Sequence, residues 1–467
     1  MFDKNFKFGF SECGFQFEMG LSDEDKNSDW YAWANSKNNA QNHYVSGDLP
    51  QNGVAYWDMY PIDHENARNL GMNSGRLSVE WSRIFPESTE SVYADSIIEN
   101  GDVKKVIITM DMLEKLDKIA SQDAISHYSD IFSDFKSRGN FLIINLYHWA
   151  IPLWLNNPDK NPEKSLCNCF DNRIIIEFAK YAAFIAWKFD RFADRWCTMN
   201  EPNMVYQGCS MDHSLSNTIQ KKRKFAEGHA RAYDSIKYVT SKPVGIIFAN
   251  GDIMPFSEKD YEASERAKYI NRYSFFDSII KGNCEGITTD GKTQNLRDDL
   301  MNRVDWLGLN YYSRDVVEKD DGEYGFKIVK GYGHYCPEME TSKAGNPVSD
   351  TGWEIYPEGI YNIIHDYYKR YGIPITITEN GLADEADKYR SYYISSHLSN
   401  IERAIKDGFK VEGYFHWALT DNFEWASGFS MKFGLFSVNM DTKERKMRQS
   451  ALTLKKIIET REVIPLE

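Results

Sequence analysis

Two glutamates each stand at the end of a short run of strand-forming residues. Residues 375–381 read Ile-Thr-Ile-Thr-Glu-Asn-Gly, so Glu379 follows alternating β-branched residues and precedes an Asn-Gly turn signal. Residues 196–202 read Trp-Cys-Thr-Met-Asn-Glu-Pro, and Pro202 ends the strand directly after Glu201. Parallel α/β folds place their chemistry at the carboxyl ends of strands. Either glutamate alone is as readily a solvated strand end, but together they suggest a two-carboxylate site.

Other polar and aromatic side chains end the remaining strand-like runs and would meet the glutamates at one edge. They are Gln16, Arg76, His148, Trp149, Asn200, Asn310, Tyr312 and Trp417. Two carboxylates in an aromatic, amide-lined pocket suit glycoside hydrolysis, in which one carboxyl donates a proton and the other acts ionised. A nearby cation favours the ionised form, so Arg76 is the candidate to hold one glutamate ionised, and Tyr312 to hydrogen-bond the same carboxylate. Arg76 or His148 alone is equally typical of a structural contact, so the prediction depends on their joint placement.

The composition indicates a large globular protein and argues against nucleic-acid binding. The chain has 467 residues, of which 42% are hydrophobic and 27% charged, and its formal net charge is −14. Such a chain lacks the basic surface that neutralises phosphates, and the basic cluster at residues 221–224 is predicted to be a solvated helix face. Aromatic residues make up 14% of the chain, which suits a core but also sugar binding, since Trp and Tyr combine a flat apolar face with a polar edge.

Cysteine and histidine usage gives no disulfide or metal pattern. Seven cysteines are an odd number in a long chain, so a disulfide scaffold is not expected. Cys167 and Cys169 do not have a zinc spacing, and the histidines form no HExxH motif. The first residues lack the apolar stretch of a signal peptide, and no run approaches about 18 apolar residues. We therefore expect a cytoplasmic protein with no cofactor, no metal and no membrane partner.

Eight strand candidates alternate with helical stretches along the chain. They are centred near residues 8, 77, 144, 198, 246, 308, 377 and 415. This alternation indicates a parallel sheet, and eight units predict an α/β fold of the (β/α)₈ TIM barrel type, with residues 1–467 as a single domain with elaborated βα loops. The alternative is a doubly wound sheet. It is disfavoured because no GxGxxG or GxxxxGKS/T loop occurs, and because polar residues end nearly every strand rather than gathering at one switch point.

Local signals predict where several helices begin and end. Ser121 is the expected N-cap of a helix that reaches about residue 138, and Ser450 the expected cap of a C-terminal helix. Further helices are predicted over residues 61–70, 172–192, 225–239, 357–371 and 387–407. Residues 21–53 are predicted to form a long polar loop, and residues 88–110 an irregular insertion.

With these motifs in place, the chain resembles family 1 glycoside hydrolases, the β-glucosidase and β-galactosidase group, and looks closest to archaeal β-glycosidases. The resemblance is carried by Asn-Glu-Pro at 200–202, Thr-Glu-Asn-Gly at 378–381 and the run Arg-Leu-Ser-Val-Glu-Trp-Ser-Arg-Ile-Phe-Pro at 76–86. Matching segments also occur at 8–18, 147–149, 310–312, 352–354, 416–425 and 433–435. Together they span essentially the whole chain in the family's order, which makes the combination specific.

The resemblance implies a retaining, exo-acting β-glycosidase that hydrolyses O-linked β-D-glucosides or β-D-galactosides, with β-D-fucosides as a further sugar class. Glu379 would be the nucleophile and Glu201 the acid/base, with Arg76 and Asn310 supporting the nucleophile. A retaining pair should hold its carboxyl groups about 5–5.5 Å apart. The partner would be a small-molecule β-glycoside or an oligosaccharide. Archaeal relatives also imply a homo-tetramer, which no feature of the sequence itself indicates.

The same resemblance assigns the substrate-binding side chains. They are Gln16, His148, Trp149, Asn200, Tyr312, Trp353, Trp417, Glu424 and Trp425. Gln16 and Glu424 would bind the hydroxyls far from the anomeric carbon, Trp417 would form the floor under the sugar, and Trp353 would line the leaving-group side. Family members that act on 6-phosphorylated sugars carry Ser in place of Glu424. A carboxylate there would repel a phosphate, which implies an unphosphorylated sugar.

Two other functions stay open at this point. A transglycosylase would use the same first chemical step and accept a sugar in place of water. A catalytically silent carbohydrate-binding barrel would have lost one or both glutamates, and this chain keeps both. Residues 166–170 and 206–213 depart from the archaeal pattern in loops that would shape the leaving-group side. The resemblance therefore implies little about the leaving group.

Overall fold

Eight parallel strands form a closed barrel in the computed structural model, which describes residues 1–159, 170–208, 213–284, 295–337 and 339–463. The strands are β1 (Lys7–Ser11), β2 (Ser74–Ser78), β3 (Phe141–Asn145), β4 (Arg195–Asn200), β5 (Val244–Pro255), β6 (Trp306–Lys319), β7 (Ile375–Asn380) and β8 (Val411–His416). Each strand pairs in parallel with the next, and β8 pairs with β1. Every predicted strand centre lies within one of these strands, so the predicted (β/α)₈ barrel is confirmed.

One main helix follows each barrel strand. These helices are α1 (Tyr56–Asn69), α2 (Gln122–Ser137), α3 (Asn172–Phe189), α4 (Leu215–Val239), α5 (Ser274–Lys281), α6 (Glu358–Tyr371), α7 (Arg390–Lys406) and α8 (Gln449–Thr460). Each buries one apolar face in the main core, as Ile363 of α6 and Leu398 of α7 illustrate. An apolar stripe at helical spacing is what holds such helices against a sheet.

The barrel interior has a small core of its own. Ile143, Cys197, Ile247, Trp306 and Phe415 come from five different strands and form a cluster separate from the main core. Because side chains alternate along a strand, each strand sends one set of residues inward and the other toward the helices. The apolar inward set fills the barrel, and the polar residues at the carboxyl ends of the strands are left to form a site.

The long βα loops carry additional elements, which correct two predictions. The predicted loop at 21–53 contains the helices Asp29–Asn35 and Lys37–Gln41, and the predicted irregular insertion at 88–110 contains a hairpin of Ser96–Glu99 and Asp102–Val106. The remaining elements are the helices Gly14–Phe17, Trp81–Ile84, Met110–Asp117, Pro202–Gly208 and Tyr261–Lys268, the π-helical turn Tyr269–Tyr273, the 3₁₀ turns Pro50–Asn52, Glu258–Asp260, Asp298–Leu300 and Trp425–Ser427, and the strands Asn283–Cys284, Asn295–Leu296, Phe326–Ile328, Phe436–Val438 and Arg445–Met447.

Helix ends followed local signals in some places and tertiary contacts in others. The Ser121 hydroxyl accepts a hydrogen bond from the Ala124 amide at 3.2 Å, which confirms the predicted N-cap of α2. The predicted cap of α8 is wrong. Asp387 accepts hydrogen bonds from the amide and the hydroxyl of Ser450, at 2.9 and 2.6 Å. A carboxylate from outside the helix thus satisfies its first turn, and local sequence does not show this.

Two residues of the basic cluster at 221–224 are buried and the other two are half-buried, contrary to the prediction of a solvated face. α4 begins at Leu215 rather than near residue 225, and Lys222 is only 5% exposed, with its Nζ donating to a backbone carbonyl at 2.9 Å. Arg223 Nε donates to Asp102 of the insertion hairpin at 3.0 Å. The hairpin and the first turns of α4 therefore supply each other's hydrogen-bond partners.

Three further features of the described ranges are the state of the cysteines, the length of the helices and the grouping of metal-ligating side chains. Cys13, Cys197, Cys284 and Cys336 are buried and free, while the predictions about Cys167 and Cys169 fall outside those ranges. None of the described helices has the length and apolar character needed to cross a membrane. Nor do the described residues include a group of three or more His, Cys, Asp or Glu side chains placed to hold a metal ion.

Candidate active site

A cavity of about 560 Å³ lies at the carboxyl ends of the barrel strands. Ten predicted site residues line it: Gln16, His148, Trp149, Glu201, Tyr312, Trp353, Glu379, Trp417, Glu424 and Trp425. The other three, Arg76, Asn200 and Asn310, are fully buried and hydrogen-bonded to residues of this group. The barrel thus brings together residues from seven of its eight strands or the loops that follow them. The predicted set contains no residue from β5.

Glu379, near the end of β7, is held by one cation and one hydroxyl. Its Oε1 accepts from Arg76 Nη2 at 2.6 Å, and its Oε2 accepts from the Tyr312 hydroxyl at 2.6 Å. Burial raises the pKa of Glu379, while the charge of Arg76 and these hydrogen bonds act in the opposite direction. Since a guanidinium in direct contact favours the ionised form, Glu379 is the member of the glutamate pair that carries the negative charge.

Glu201, directly after β4, has a neutral partner instead. Its Oε1 accepts from the Asn310 amide at 2.8 Å, and Asn310 also opposes the effect of burial on Glu379. Burial, followed by the charge of Glu379, raises the pKa of Glu201 to about 8. Its φ of 48° lies in the left-handed region, which few residues other than glycine adopt and which is often found at functional positions. At neutral pH this carboxyl is mainly protonated, so the pair combines a proton donor with an ionised carboxylate.

Arg76, Asn200 and His148 form a buried polar network beside the two carboxyls. Arg76 Nη1 and Asn310 Nδ2 both donate to Asn200 Oδ1, at 2.9 and 3.1 Å. The Asn200 amide in turn lies 3.0 Å from His148 Nε2. Burial, and then the charge of Arg76, lower the pKa of His148 well below its ordinary value, so the ring is neutral. A network of this kind fixes side-chain positions because each buried group depends on its neighbours for hydrogen bonds.

Gln16, Trp417 and Glu424 form a second polar group on the cavity wall. Gln16 Nε2 donates to Asn422 Oδ1 at 3.1 Å, and Trp417 Nε1 donates to Glu424 Oε1 at 3.0 Å. Burial raises the pKa of Glu424 to about 7. Gln16 Oε1 has no hydrogen-bond partner in the part of the chain that the structure describes. Donors and acceptors in one cavity suit sugar hydroxyls, which do both.

Tryptophan side chains make up the apolar part of the wall. The rings of Trp149 and Trp425 stack with centroids 4.6 Å apart, and Phe15 stacks on Trp425 at 5.6 Å. Trp149 and Trp425 have φ values of 74° and 50°, so the backbone is strained at both positions. Trp353 packs against Tyr312, with ring centroids 5.2 Å apart. Flat apolar faces with polar edges are suited to sugar rings.

The glycine of the Thr-Glu-Asn-Gly motif is required by a close contact rather than by a turn. A Cβ atom on Gly381 would lie 1.6 Å from the carbonyl oxygen of Trp417. The peptide bond between Trp417 and Ala418 is cis. Without a side chain at Gly381, the backbone after Glu379 can approach the backbone that carries Trp417. The motif therefore positions both the carboxylate and the aromatic floor of the cavity.

Several cavity-lining residues were absent from the predicted site. They are Asn203, Asn250, Asn271, Arg272, Asp315 and His334. Asn250 follows the apolar run of β5, so the same strand-end signal that selected Asn200 applied to it. His334 contacts Asp315 at 2.9 Å, and its long loop carries no such signal. Arg272 lies well beyond its strand in a helical segment, where no local pattern marks it.

Comparisons with known proteins cover nearly the whole chain and agree on one family. The model of the family described as glycosyl hydrolase family 1 matches residues 1–99 and 117–463. A β-galactosidase of Saccharolobus solfataricus is 45% identical over 470 residues, which cover 98% of this chain and 94% of the relative. The crystal structure of the β-glycosidase of the hyperthermophile Thermosphaera aggregans has a TM-score of 0.93 at 41% identity, over 99% of this chain and 98% of that one. A β-glucosidase mutant described as derived from a hyperthermophilic tetrameric structure has a TM-score of 0.89 at 40% identity, over 99% and 96% of the two chains.

Proposed function

This chain belongs to glycosyl hydrolase family 1 and is a β-glycosidase, and we propose that it releases single β-D-glucosyl or β-D-galactosyl units from unphosphorylated O-glycosides, with Glu379 as nucleophile and Glu201 as acid/base. The observation that carries this assignment is the asymmetry of the pair. Arg76 and Tyr312 bind both oxygens of Glu379, whereas Glu201 receives a hydrogen bond from a neutral amide. Double displacement needs one ionised and one protonated carboxyl, and these surroundings favour that division.

The first step forms a covalent glycosyl-enzyme. The Glu379 carboxylate attacks the anomeric carbon, and an ester bond forms as the bond to the leaving oxygen breaks. Glu201 transfers its proton to that oxygen, so the leaving group departs as a neutral alcohol and Glu201 becomes a carboxylate. Arg76, in contact with Glu379 at 2.6 Å, orients the attacking carboxylate and keeps it ionised before the attack.

The second step returns the enzyme to its starting state. Glu201 removes a proton from a water molecule, whose oxygen bonds to the anomeric carbon as the ester bond to Glu379 breaks. The sugar is released with its original β configuration, because two inversions occur at the same carbon. An acceptor sugar in place of water would give transglycosylation, and product analysis with added acceptor distinguishes the two outcomes.

The sugar preference is proposed from the wall that holds Gln16 and Glu424. Both side chains offer hydrogen bonds to hydroxyls, and Glu424 sits beside Trp417 Nε1 at 3.0 Å. A hydroxyl in either configuration at the fourth carbon can reach such a pair. The similar β-galactosidase and β-glucosidase named above support both sugars. A phosphate at the sixth carbon would meet the carboxyl of Glu424 rather than a cation, so unphosphorylated sugars are proposed.

A panel of nitrophenyl β-D-glycosides tests the proposal with wild type and Glu379→Gly. The gluco, galacto, fuco, manno and xylo compounds are compared, and the wild type is expected to hydrolyse the gluco or galacto compound. Loss of the nucleophile should lower kcat at least about a thousandfold. Glu385→Gln, which changes an exposed carboxylate in the loop after β7, serves as the matched control and should retain activity. Normal turnover by Glu379→Gly would disprove the nucleophile assignment.

Glu201→Ala tests the acid role through the leaving group. Substrates with good leaving groups need little protonation, so their first step should lose less rate than that of substrates with poor ones. Pre-steady-state measurement of the first step separates it from the second. Equal losses for both substrate classes would contradict the acid assignment.

We also propose that the chain assembles into a homo-tetramer in the cytoplasm. The support is the 40% identity to the structure described as derived from a tetrameric form. Light scattering on the purified protein should give a molar mass four times that of the chain, and a monomeric mass over the whole concentration range would rule the tetramer out.

A further inference from the structure

Arg272 is a buried cation in the wall of the active-site cavity to which the catalytic steps assign no task. It borders the cavity although only 1% of its surface is exposed. It belongs to the π-helical turn Tyr269–Tyr273, which joins the helix Tyr261–Lys268 to α5 without a break. Single π turns within helices are frequent at functional sites, since the extra residue in the turn redirects side chains.

The guanidinium of Arg272 has no hydrogen-bond acceptor among the described residues. This holds for Nε, Nη1 and Nη2 alike. The acidic groups that act on it electrostatically are Asp252 and Asp366. Asp252 accepts from the Asn362 amide at 2.8 Å, and Asp366 accepts from the Tyr273 hydroxyl at 3.2 Å. A buried guanidinium with five unused donors is costly, and an anionic group brought to it would offset that cost.

The barrel order places Arg272 on the leaving-group side. The proposed sugar-binding residues Gln16 and Glu424 follow β1 and β8, which are neighbours. Arg272 follows β5, four strands from β1 in a ring of eight, and therefore lies across the mouth. The strand next to β5 is β4, which is followed by Glu201. Since Glu201 protonates the leaving oxygen in the proposed mechanism, the leaving group points toward this half of the cavity.

The rest of this half is rich in amides. Asn203, Gln207, Asn250 and Asn271 line the same cavity as Arg272. Asn203 and Gln207 belong to the helix Pro202–Gly208 that starts directly after Glu201. Amides donate and accept but carry no charge, so Arg272 is the unpaired charge on this wall within the described ranges. The carboxylate of Asp315 on the cavity lining is paired with His334 at 2.9 Å.

We propose that Arg272 binds the carboxylate of an anionic leaving group, so that this β-glycosidase favours β-glycosides whose aglycone carries a carboxylate. The three nitrogens are closed to solvent as the side chain stands, so binding includes a turn of the Arg272 side chain toward the cavity. There the planar guanidinium matches a carboxylate in a two-point contact, which a neutral hydroxyl does not offer. This specificity rests on the proposed function, because it places the leaving group on the Glu201 side. It concerns the aglycone only and leaves the choice of sugar to the opposite wall.

The test compares two matched substrates, 3-carboxyphenyl and 3-carbamoylphenyl glycosides of the sugar that the panel identifies. They differ in charge and little in shape. The ratio of kcat/KM for the carboxylate to kcat/KM for the amide should fall about tenfold in Arg272→Met, the size of one hydrogen-bonded charge contact, and less in Arg272→Lys. Gln207→Met removes a neutral polar group from the same wall and should change kcat/KM for the two substrates by the same factor.

An unchanged ratio in folded Arg272→Met would overturn the proposal and leave the glycosidase assignment intact. Failure of the wild type to hydrolyse either compound would instead count against the proposed function itself. A second measurement needs no variant: 3-hydroxybenzoate should inhibit the wild type more strongly than 3-hydroxybenzamide when each competes with a neutral nitrophenyl glycoside. Equal inhibition constants would overturn the proposal even where Arg272→Met does not fold.

Discussion

Glu201 and Glu379 are chemically identical side chains whose surroundings differ. Both are buried, and burial alone raises the pKa of both. The difference comes from Arg76, which contacts Glu379 at 2.6 Å and has no such contact with Glu201. A proton shared by the pair therefore resides on Glu201. One arginine from β2, which lies three strands from β7 in the barrel, therefore favours the division of tasks that the proposed mechanism requires.

The pH dependence of kcat/KM should reflect this division. In the proposed mechanism activity needs protonated Glu201, whose pKa is raised to about 8, so the rate should fall as pH rises through about 8. It also needs ionised Glu379, whose pKa is raised by burial. The rate should therefore fall as the pH is lowered, with a midpoint above the ordinary pKa of a glutamate. Initial rates on a nitrophenyl glycoside over a range of pH give both limbs.

Tyr312→Phe tests the acid limb separately. The Tyr312 hydroxyl donates to Glu379 Oε2 at 2.6 Å and stabilises the ionised form. Its removal should raise the pKa of Glu379 and move the acid limb to higher pH, with the alkaline limb near 8 retained. Tyr311→Phe is the matched control on the same strand, because the Tyr311 hydroxyl donates to the Tyr356 carbonyl instead. An unmoved acid limb in Tyr312→Phe would contradict the assignment.

At the scale of elements, close contact between β7 and β8 segments builds the site. Gly381 follows β7, and its α-carbon faces the Trp417 carbonyl so closely that a Cβ would lie 1.6 Å away. Gly372, at the end of α6, has the other reason for being glycine: its φ is 65°, and a Cβ there would have nothing within 4 Å. Gly381 is therefore required because there is no room for a side chain, and Gly372 because of its backbone conformation.

Gly381→Ala and Gly372→Ala should consequently differ in cost. Gly372→Ala loses only the ease of the left-handed backbone, about 1–2 kcal/mol of unfolding free energy, and should leave kcat unchanged. Gly381→Ala must displace the backbone at Trp417, so it should be more destabilising and should also lower kcat. Urea unfolding and turnover of a nitrophenyl glycoside measure both effects. Equal stability loss with full activity in both variants would contradict the contact argument.

The hairpin within residues 88–110 and the basic segment of α4 depend on each other in the fold. Taken alone, the basic segment 221–224 of α4 has the composition of a solvated face, and residues 88–110 have no regular pattern. In the fold, Arg223 of α4 binds Asp102 of the hairpin, and Glu227 accepts from the Val103 amide at 3.1 Å. A charged turn is buried where a distant segment supplies its counter-charges, and one-dimensional patterns contain no such pairing.

For the whole molecule, buried titratable groups should set how stability depends on pH. Buried carboxyls with raised pKa values include Glu12, Glu18, Glu80, Glu201, Glu379 and Glu424. They hold protons in the folded state that the unfolded chain releases above about pH 4.5, so they lower stability as pH rises toward 8. Buried histidines with lowered pKa values are His64, His148, His229, His397 and His416. They lower stability as pH falls below about 6.5, where the unfolded chain binds protons that the folded state does not.

The free energy of unfolding should therefore decline on both sides of a maximum in the mildly acidic range. Above about pH 6.5 only the carboxyl effect remains, so stability at pH 8 should be below that at pH 6. Glu201→Gln removes one of the contributing carboxyls, and its stability should fall less over this interval. Chemical unfolding at several pH values measures both slopes. A wild type equally stable at pH 6 and pH 8, or an unchanged slope in Glu201→Gln, would contradict this account.

Strand positions and the main site residues were predictable from the sequence, because both depend on short-range patterns. Apolar runs of about five residues locate a buried strand, and a polar residue at the end of such a run locates the mouth of a barrel. These patterns located all eight strands and ten of the site residues, and the family resemblance added Trp353, Glu424 and Trp425; the fold gathers all thirteen around one cavity. The catalytic and binding roles of these residues stay predictions until the variants above are measured.

Only the tertiary structure decided the features that depend on which distant residues meet. Arg76 is 303 positions from Glu379, and nothing in either segment states that their side chains touch. The same is true of Asp387 at the start of α8, and of Arg272, whose lack of a partner among the described residues is visible only once its neighbours are known. The sequence determines which chemical groups are present at strand ends, because local periodicity sets strand and helix. Protonation, burial and partner choice are properties of the assembled environment, because electrostatic and packing energies depend on distances in space.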